Sequence, residues 1–187
     1  MTHSDFVRYE DLSAGELRAR LLGFAGEFVR DARTLPGITR IALLGSLLTP
    51  KDDPKDIDLV VTVADACDLT PLAKLGRRLQ GRAQGLNHGA DVFLASPSGA
   101  YLGRTCPWRE CRPGIRAACD ADHCGARPFL HNDRRTITLP GSVIASPPLE
   151  LYPTVVARVG IPPDVAAWLA SSIGALAPNP ALMLPSF

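Results

Sequence analysis

Two apolar runs, joined through a Gly-Ser pair and closed by two carboxylates, constrain this chain more than any other stretch. Ile38 to Leu44 reads Ile-Thr-Arg-Ile-Ala-Leu-Leu and ends at Gly45-Ser46; after nine residues the chain resumes as Asp56-Ile57-Asp58-Leu59-Val60-Val61. Short aliphatic, β-branched runs bounded by turn residues predict buried strands, here Ile38–Leu44 and Ile57–Val63. Strand side chains alternate between faces, so Asp56 and Asp58 project to the same side. Neighbouring carboxylates repel each other and resist desolvation unless positive charge stands between them.

Magnesium is the cation that suits such a pair, because it takes oxygen ligands and is usually held by one or two carboxylates plus substrate phosphates. Gly45 lets the backbone approach a ligand closely, and Ser46 is expected to open a short helix whose N-terminus faces an anion. A third carboxylate comes in Gly89-Ala90-Asp91-Val92-Phe93-Leu94, where Asp91 opens another strand-like run.

Together these residues resemble the DNA polymerase β-like nucleotidyltransferase superfamily. Its signature is an apolar residue, Gly, then Gly or Ser, a spacer of about ten residues, and Asp-apolar-Asp, with a third carboxylate on a later strand. Gly45, Ser46, Asp56, Asp58 and Asp91 match it, and the resemblance spans roughly Asp11 to Leu94. It implies an α/β (α+β) fold with a small mixed sheet and flanking helices. It also implies a nucleoside triphosphate as substrate, Mg2+ on Asp56, Asp58 and Asp91, and a triphosphate seat at Gly45 and Ser46. Small bacterial members often carry an Arg-rich segment after Gly-Ser. Here it is replaced by Leu47-Leu48-Thr49-Pro50-Lys51, leaving Lys51 and Lys55 as the nearby cations.

The helices expected around these strands have their own signals. Ser13 and Glu16 are spaced as a capping box before an apolar stripe of Leu17, Leu21, Phe24, Ala25, Phe28 and Val29. Leu69 to Ala83 reads as a second helix, with Thr70 as N-cap, Pro71 at its first position, and Leu72, Leu75 and Leu79 as its stripe.

Three segments are expected: 1–97 as the nucleotidyltransferase-like domain, 98–135 as a Cys-rich zinc module, and 136–187 as an apolar, Pro-rich segment packing on the core or on a partner. In the second, Cys106, Cys111, Cys119 and Cys124 are spaced Cys-x4-Cys-x7-Cys-x4-Cys, and His123 is an alternative to Cys124. Four close thiols in a reducing compartment suit tetrahedral Zn2+; ordinary buried thiols or a reversible disulfide pair are the alternatives. This stretch also resembles the segment C-terminal to the catalytic domain in some uncharacterised bacterial nucleotidyltransferase-like proteins, through Cys106-Pro-Trp-Arg-Glu-Cys111 and His123-Cys124-Gly125. Seven arginines between Arg104 and Arg135 face four acidic residues; they either screen the thiolates or, with Trp108 as a stacking surface, contact RNA or nucleotide.

The third segment carries only Glu150, Arg158 and Asp164 as charges, so it should not stand free in water. Thr136–Leu139 alternates like a strand, and Val165–Leu176 reads as a helix led by Pro162-Pro163-Asp164. A homo-oligomer or a protein partner is the alternative to packing on the core. The net charge of +1 points to neither nucleic acid nor membrane. No apolar run reaches membrane-spanning length and residues 1–10 contain no secretory apolar core, so a cytoplasmic protein without membrane contact is expected.

Two functions fit these features. One is transfer of a nucleoside monophosphate from an NTP to an acceptor hydroxyl by a two-metal mechanism; the acceptor is not encoded in these motifs. The other is a non-catalytic nucleotidyltransferase-like antitoxin or an RNA- or partner-binding protein.

Overall fold

The computed structural model describes residues 12–112, 124 and 127–173. In chain order these form α1 (Ala14–Ala32), β1 (Ile38–Leu44), a 3-10 turn (Ser46–Leu48), β2 (Asp56–Val63), α2 (Leu69–Gln84), β3 (Gly89–Ala95), β4 (Tyr101–Thr105), β5 (Leu130–His131), α3 (Gly141–Ala145), β6 (Leu149–Tyr152), β7 (Val156–Ala157) and α4 (Pro163–Trp168), which runs on into a wider turn at Leu169–Ile173.

All seven strands share one mixed sheet in the order β5-β4-β3-β2-β1-β6-β7. Only β2 and β3 are parallel, with α2 as their crossover; the other pairs are antiparallel. The segments 98–135 and 136–187 therefore supply the two outer parts of the same sheet that 38–95 begins. No helix among the described residues is long and apolar enough to cross a membrane.

Alternation divides the sheet into two faces. Ile41, Leu43, Ile57, Leu59, Val61, Val92 and Leu94 belong to the main core with Leu21, Leu22 and Val29 of α1 and Leu72 and Leu79 of α2. Full burial of each such side chain contributes about 2 kcal/mol. Ala42, Leu44, Val60, Phe93 and Ala95 face the other way and are covered by Ile137, Leu139, Val143 and Ile144. Asp56 and Asp58 share the face of Val60, so the carboxylates stand on the side away from the long helices.

The start of α1 is the expected capping box. Ser13 accepts from the Glu16 amide, and Glu16 returns a carboxylate to the Ser13 amide at 2.9 Å. At α2 the cap lies two residues earlier than expected. Asp68, not Thr70, is the N-cap, and its side chain accepts from the Thr70 amide at 2.9 Å. A carboxylate reaches the second helical amide as readily as a hydroxyl would, and Thr70 then sits inside the first turn.

Thr136–Leu139 is not a strand. The Asp133 carbonyl accepts from the amides of both Thr136 (2.8 Å) and Ile137 (2.9 Å), which winds the chain into a turn. The apolar alternation there serves packing of Ile137 and Leu139 on the second core. The helix expected at 165–176 begins at Pro163 and is regular to Trp168; residues 174–176 lie outside the described residues. It docks on α1 where Gly26 leaves room for the Trp168 indole.

Candidate active site

The three sequence-predicted carboxylates converge through strand register. Asp58 is the direct partner of Asp91 in the parallel β2–β3 ladder, and Asp56 is the partner of Gly89. Partnered residues in a ladder point to the same face, so Asp56, Asp58 and Asp91 form one acidic patch. Leu44 is the partner of Asp58 on the other side, which brings Gly45 against it.

Two glycines make space for this patch. A Cβ on Gly45 would land on the Asp58 carboxylate, and one on Gly89 would land on that of Asp56. Gly45 also has φ +76°, a left-handed conformation that a side chain disfavours. Burial, and then the charges of Asp56 and Asp91, push the Asp58 carboxyl up to about 6. These repelling acids are short of positive charge.

Arg104 supplies some of it. The β4 residue donates from Nη1 to Asp91 Oδ1 at 2.7 Å. Its Nε lies 2.6 Å from Oδ2 of Asp133, close enough for an ion pair but off hydrogen-bond alignment. Asp133 is buried and accepts from the Tyr101 hydroxyl at 2.7 Å. Burial and the Asp133 acceptor hold the phenol well above its usual range, so Tyr101 stays a donor. Asp91 thus ends a chain of four polar side chains that reaches across β4.

Ser46 opens a short helix, as expected, which is a single 3-10 turn over Ser46–Leu48. The Ser46 hydroxyl accepts from the Lys55 amide at 3.1 Å, closing the spacer loop, and keeps its own hydrogen to donate. Buried Arg18 of α1 holds the loop from below. It donates to the carbonyls of Leu47 (3.0 Å) and Lys51 (2.6 Å) and to Asp164 (2.7 Å). Lys51 and Lys55 are exposed at the loop surface. Asp53 of the spacer loop meets buried His88 at 3.0 Å.

Sequence reasoning passed over Arg18 and Tyr101, and counted Arg104 and Asp133 only in the charge balance of the Cys-rich segment. The sequence signal for Arg18 is its place three and four residues before Leu21 and Leu22, which puts it on the apolar side of α1. Arg104 and Asp133 are brought together only by the β4–β5 pairing.

The cysteines of the Cys-rich segment are arranged around one loop. The Cys106 amide donates to the Phe129 carbonyl, Cys111 Sγ accepts from the Phe129 amide at 3.3 Å, and Cys124 Sγ donates to the Leu130 carbonyl. Cys119 and His123 lie outside the described residues. Among the described residues, no three His, Cys, Asp or Glu side chains stand as a group able to hold a metal ion, so the expected zinc site is not formed by Cys106, Cys111 and Cys124 alone. The same holds for the three aspartates as they stand, with Asp91 engaged by Arg104. Magnesium needs less, because one or two carboxylates serve when phosphates supply the remaining oxygens. Asp56 and Asp58, cradled by two glycines, meet that requirement.

Comparison of the chain with family models, with curated proteins and with solved structures finds no match.

Proposed function

We propose that this chain is a metal-dependent nucleotidyltransferase of the DNA polymerase β-like kind, moving a nucleoside monophosphate from an NTP to an acceptor hydroxyl. The observation that carries the reading is the register of Asp58 against Asp91, with Asp56 on the same face and Gly45 against Asp58. Burial, and then the charges of Asp56 and Asp91, raise the Asp58 carboxyl, so a cation seated there would relieve it.

In this reading Asp56 and Asp58 hold Mg2+ together with the triphosphate oxygens. Mg2+ held by these residues would supply stabilisation of the charge that develops during the displacement. Gly45 admits the phosphates close to the backbone, and the free hydrogen of Ser46 Oγ donates to one of them. The acceptor hydroxyl attacks the α-phosphorus, its proton passes to Asp91, and pyrophosphate leaves. Arg104 must yield Asp91 for that role. The test is incubation with labelled NTPs and cell extract. Label should move to an acceptor with the wild-type protein and not with Asp58→Asn. Equal transfer by the variant would sink the assignment.

The Arg104–Asp91 ion pair favours a second reading. An internal guanidinium that satisfies the third carboxylate suits a non-catalytic protein that keeps the fold and binds a nucleotide or a partner. Nucleotide binding without transfer to any acceptor supports that reading instead.

A further inference from the structure

Beside Asp91, away from Gly45, α2, β3, β4 and β5 enclose a cavity of about 130 Å³. Its wall includes Arg77, Gln80, Asp91, Arg104, Thr105 and His131. We propose that this cavity is the acceptor subsite of the transferase reading, on which it rests, and that it seats a terminal phosphate of the acceptor between Arg77 and Arg104.

Size limits the occupant. A liquid water occupies about 30 Å³, so the cavity matches about four waters. Sites for whole drug-sized ligands run to about 300–1,000 Å³. A phosphate group is of a size to fit, so the end of the acceptor enters and its hydroxyl is left at Asp91.

Charge sets the sign of the occupant. Two guanidinium groups line the cavity: Arg104 is shared between Asp91 and Asp133, while Arg77 is held by backbone carbonyls. Arg77 is fixed without a carboxylate. Its Nη1 donates to the Trp108 carbonyl at 2.9 Å and reaches that of Cys106 at 3.5 Å, and its guanidinium lies over the Phe129 ring at 5.7 Å. Among the described residues it makes no ion pair. A guanidinium held in place by carbonyls beside a second guanidinium is suited to an oxyanion, and planar N–H pairs match phosphate oxygens well.

Arg104 then links the subsite to the carboxylates. Its Nη1 is on Asp91 and its Nε faces Asp133. A phosphate in the cavity competes with Asp91 for Nη1, while Asp133 retains the other edge. Arrival of the acceptor therefore frees Asp91 at the moment its oxygens are needed.

The experiment titrates the full chain with inorganic phosphate, without metal or nucleotide, by calorimetry and by the arginine Nε–H resonances. Saturable binding is expected, with the largest shifts at Arg77 and Arg104. R77Q should weaken it at least tenfold, R20Q on the exposed face of α1 should not change it, and acetate should bind at least tenfold more weakly. Shifts centred elsewhere, absence of saturation, or equal affinity for acetate would overturn the proposal. The resonance map decides the matter in the wild-type protein even where R77Q does not fold. Because no nucleotide is present, a failure here leaves the transferase reading untouched, and a failure of that reading leaves phosphate binding measurable.

Discussion

Asp58 and Asp91 face each other across the parallel pairing of β2 and β3, and the charge of each opposes that of the other. The fold keeps this repulsion in place with Gly45 and Gly89, whose missing side chains are where the Asp58 and Asp56 carboxylates sit. A scaffold indifferent to charge there would gain stability by replacing Asp58.

The first prediction concerns pH. Asp58 titrates at about 6 in the fold, above its ordinary value of 3.8. The folded state then binds more protons than the unfolded chain between those values, so stability falls as pH rises through this window and stays lower above it. Asp58→Asn should stabilise the protein at pH 7.5 by about 1–2 kcal/mol, after allowance for solvent screening, and have little effect at pH 3.5. Urea unfolding at the two pH values checks this. A variant destabilised at pH 7.5 would show that ionised Asp58 is paired rather than repelled.

Gly45→Ala tests the cradle. The added methyl meets the Asp58 carboxylate in a left-handed backbone, so both strain and crowding act. A loss of about 2 kcal/mol or more in thermal unfolding is expected, together with loss of nucleotide affinity. Gly15→Ala on exposed α1, where nothing is nearby, should instead be neutral or slightly stabilising.

Arg18 gives a third prediction. Burial pushes the Asp164 carboxyl up, but the Arg18 guanidinium outweighs it and holds the carboxyl below its usual value. Arg18→Met removes that partner and leaves the Leu47 and Lys51 carbonyls without their donor. Loss of about 2–4 kcal/mol is expected. Nucleotide affinity should fall as well, because the loop after Ser46 loses its anchor. Chemical denaturation with a parallel nucleotide titration separates the two effects, and unchanged affinity in the folded variant would make Arg18 purely structural.

Much of this was legible because it is local. The Ser13–Glu16 box, the strand at Ile38–Leu44 and the common face of Asp56 and Asp58 each depend on residues within a few positions. Asp91 was found through the family resemblance, which implies a third carboxylate on a later strand. The polar partners were not legible. Arg104 meets Asp91 and Asp133 only after β4 and β5 have paired, and nothing near either aspartate encodes that. Thr136–Leu139 misled because alternation records which side chains are buried, whether or not a strand carries them. Asp68 was overlooked at α2 because the Thr70-Pro71 pair just after it has the same form of signal.

The Cys-rich segment supports a fourth prediction. A zinc site on these thiols requires about one zinc per chain in protein purified under reducing conditions. Cys106→Ser should lower that content and destabilise β4 and β5, which carry Arg104 and His131. Folded, metal-free protein would show that Cys106, Cys111 and Cys124 are ordinary thiols bonded to the Phe129–Leu130 backbone.

The central claim is that the acidic patch binds a nucleoside triphosphate through divalent metal. Calorimetry of Mg-NTP binding at pH 7.5, in wild type and Asp58→Asn, tests it most directly. Saturable binding that requires Mg2+ and is lost in the Asn variant is the predicted result; binding by neither protein, or equal binding by both, would contradict it.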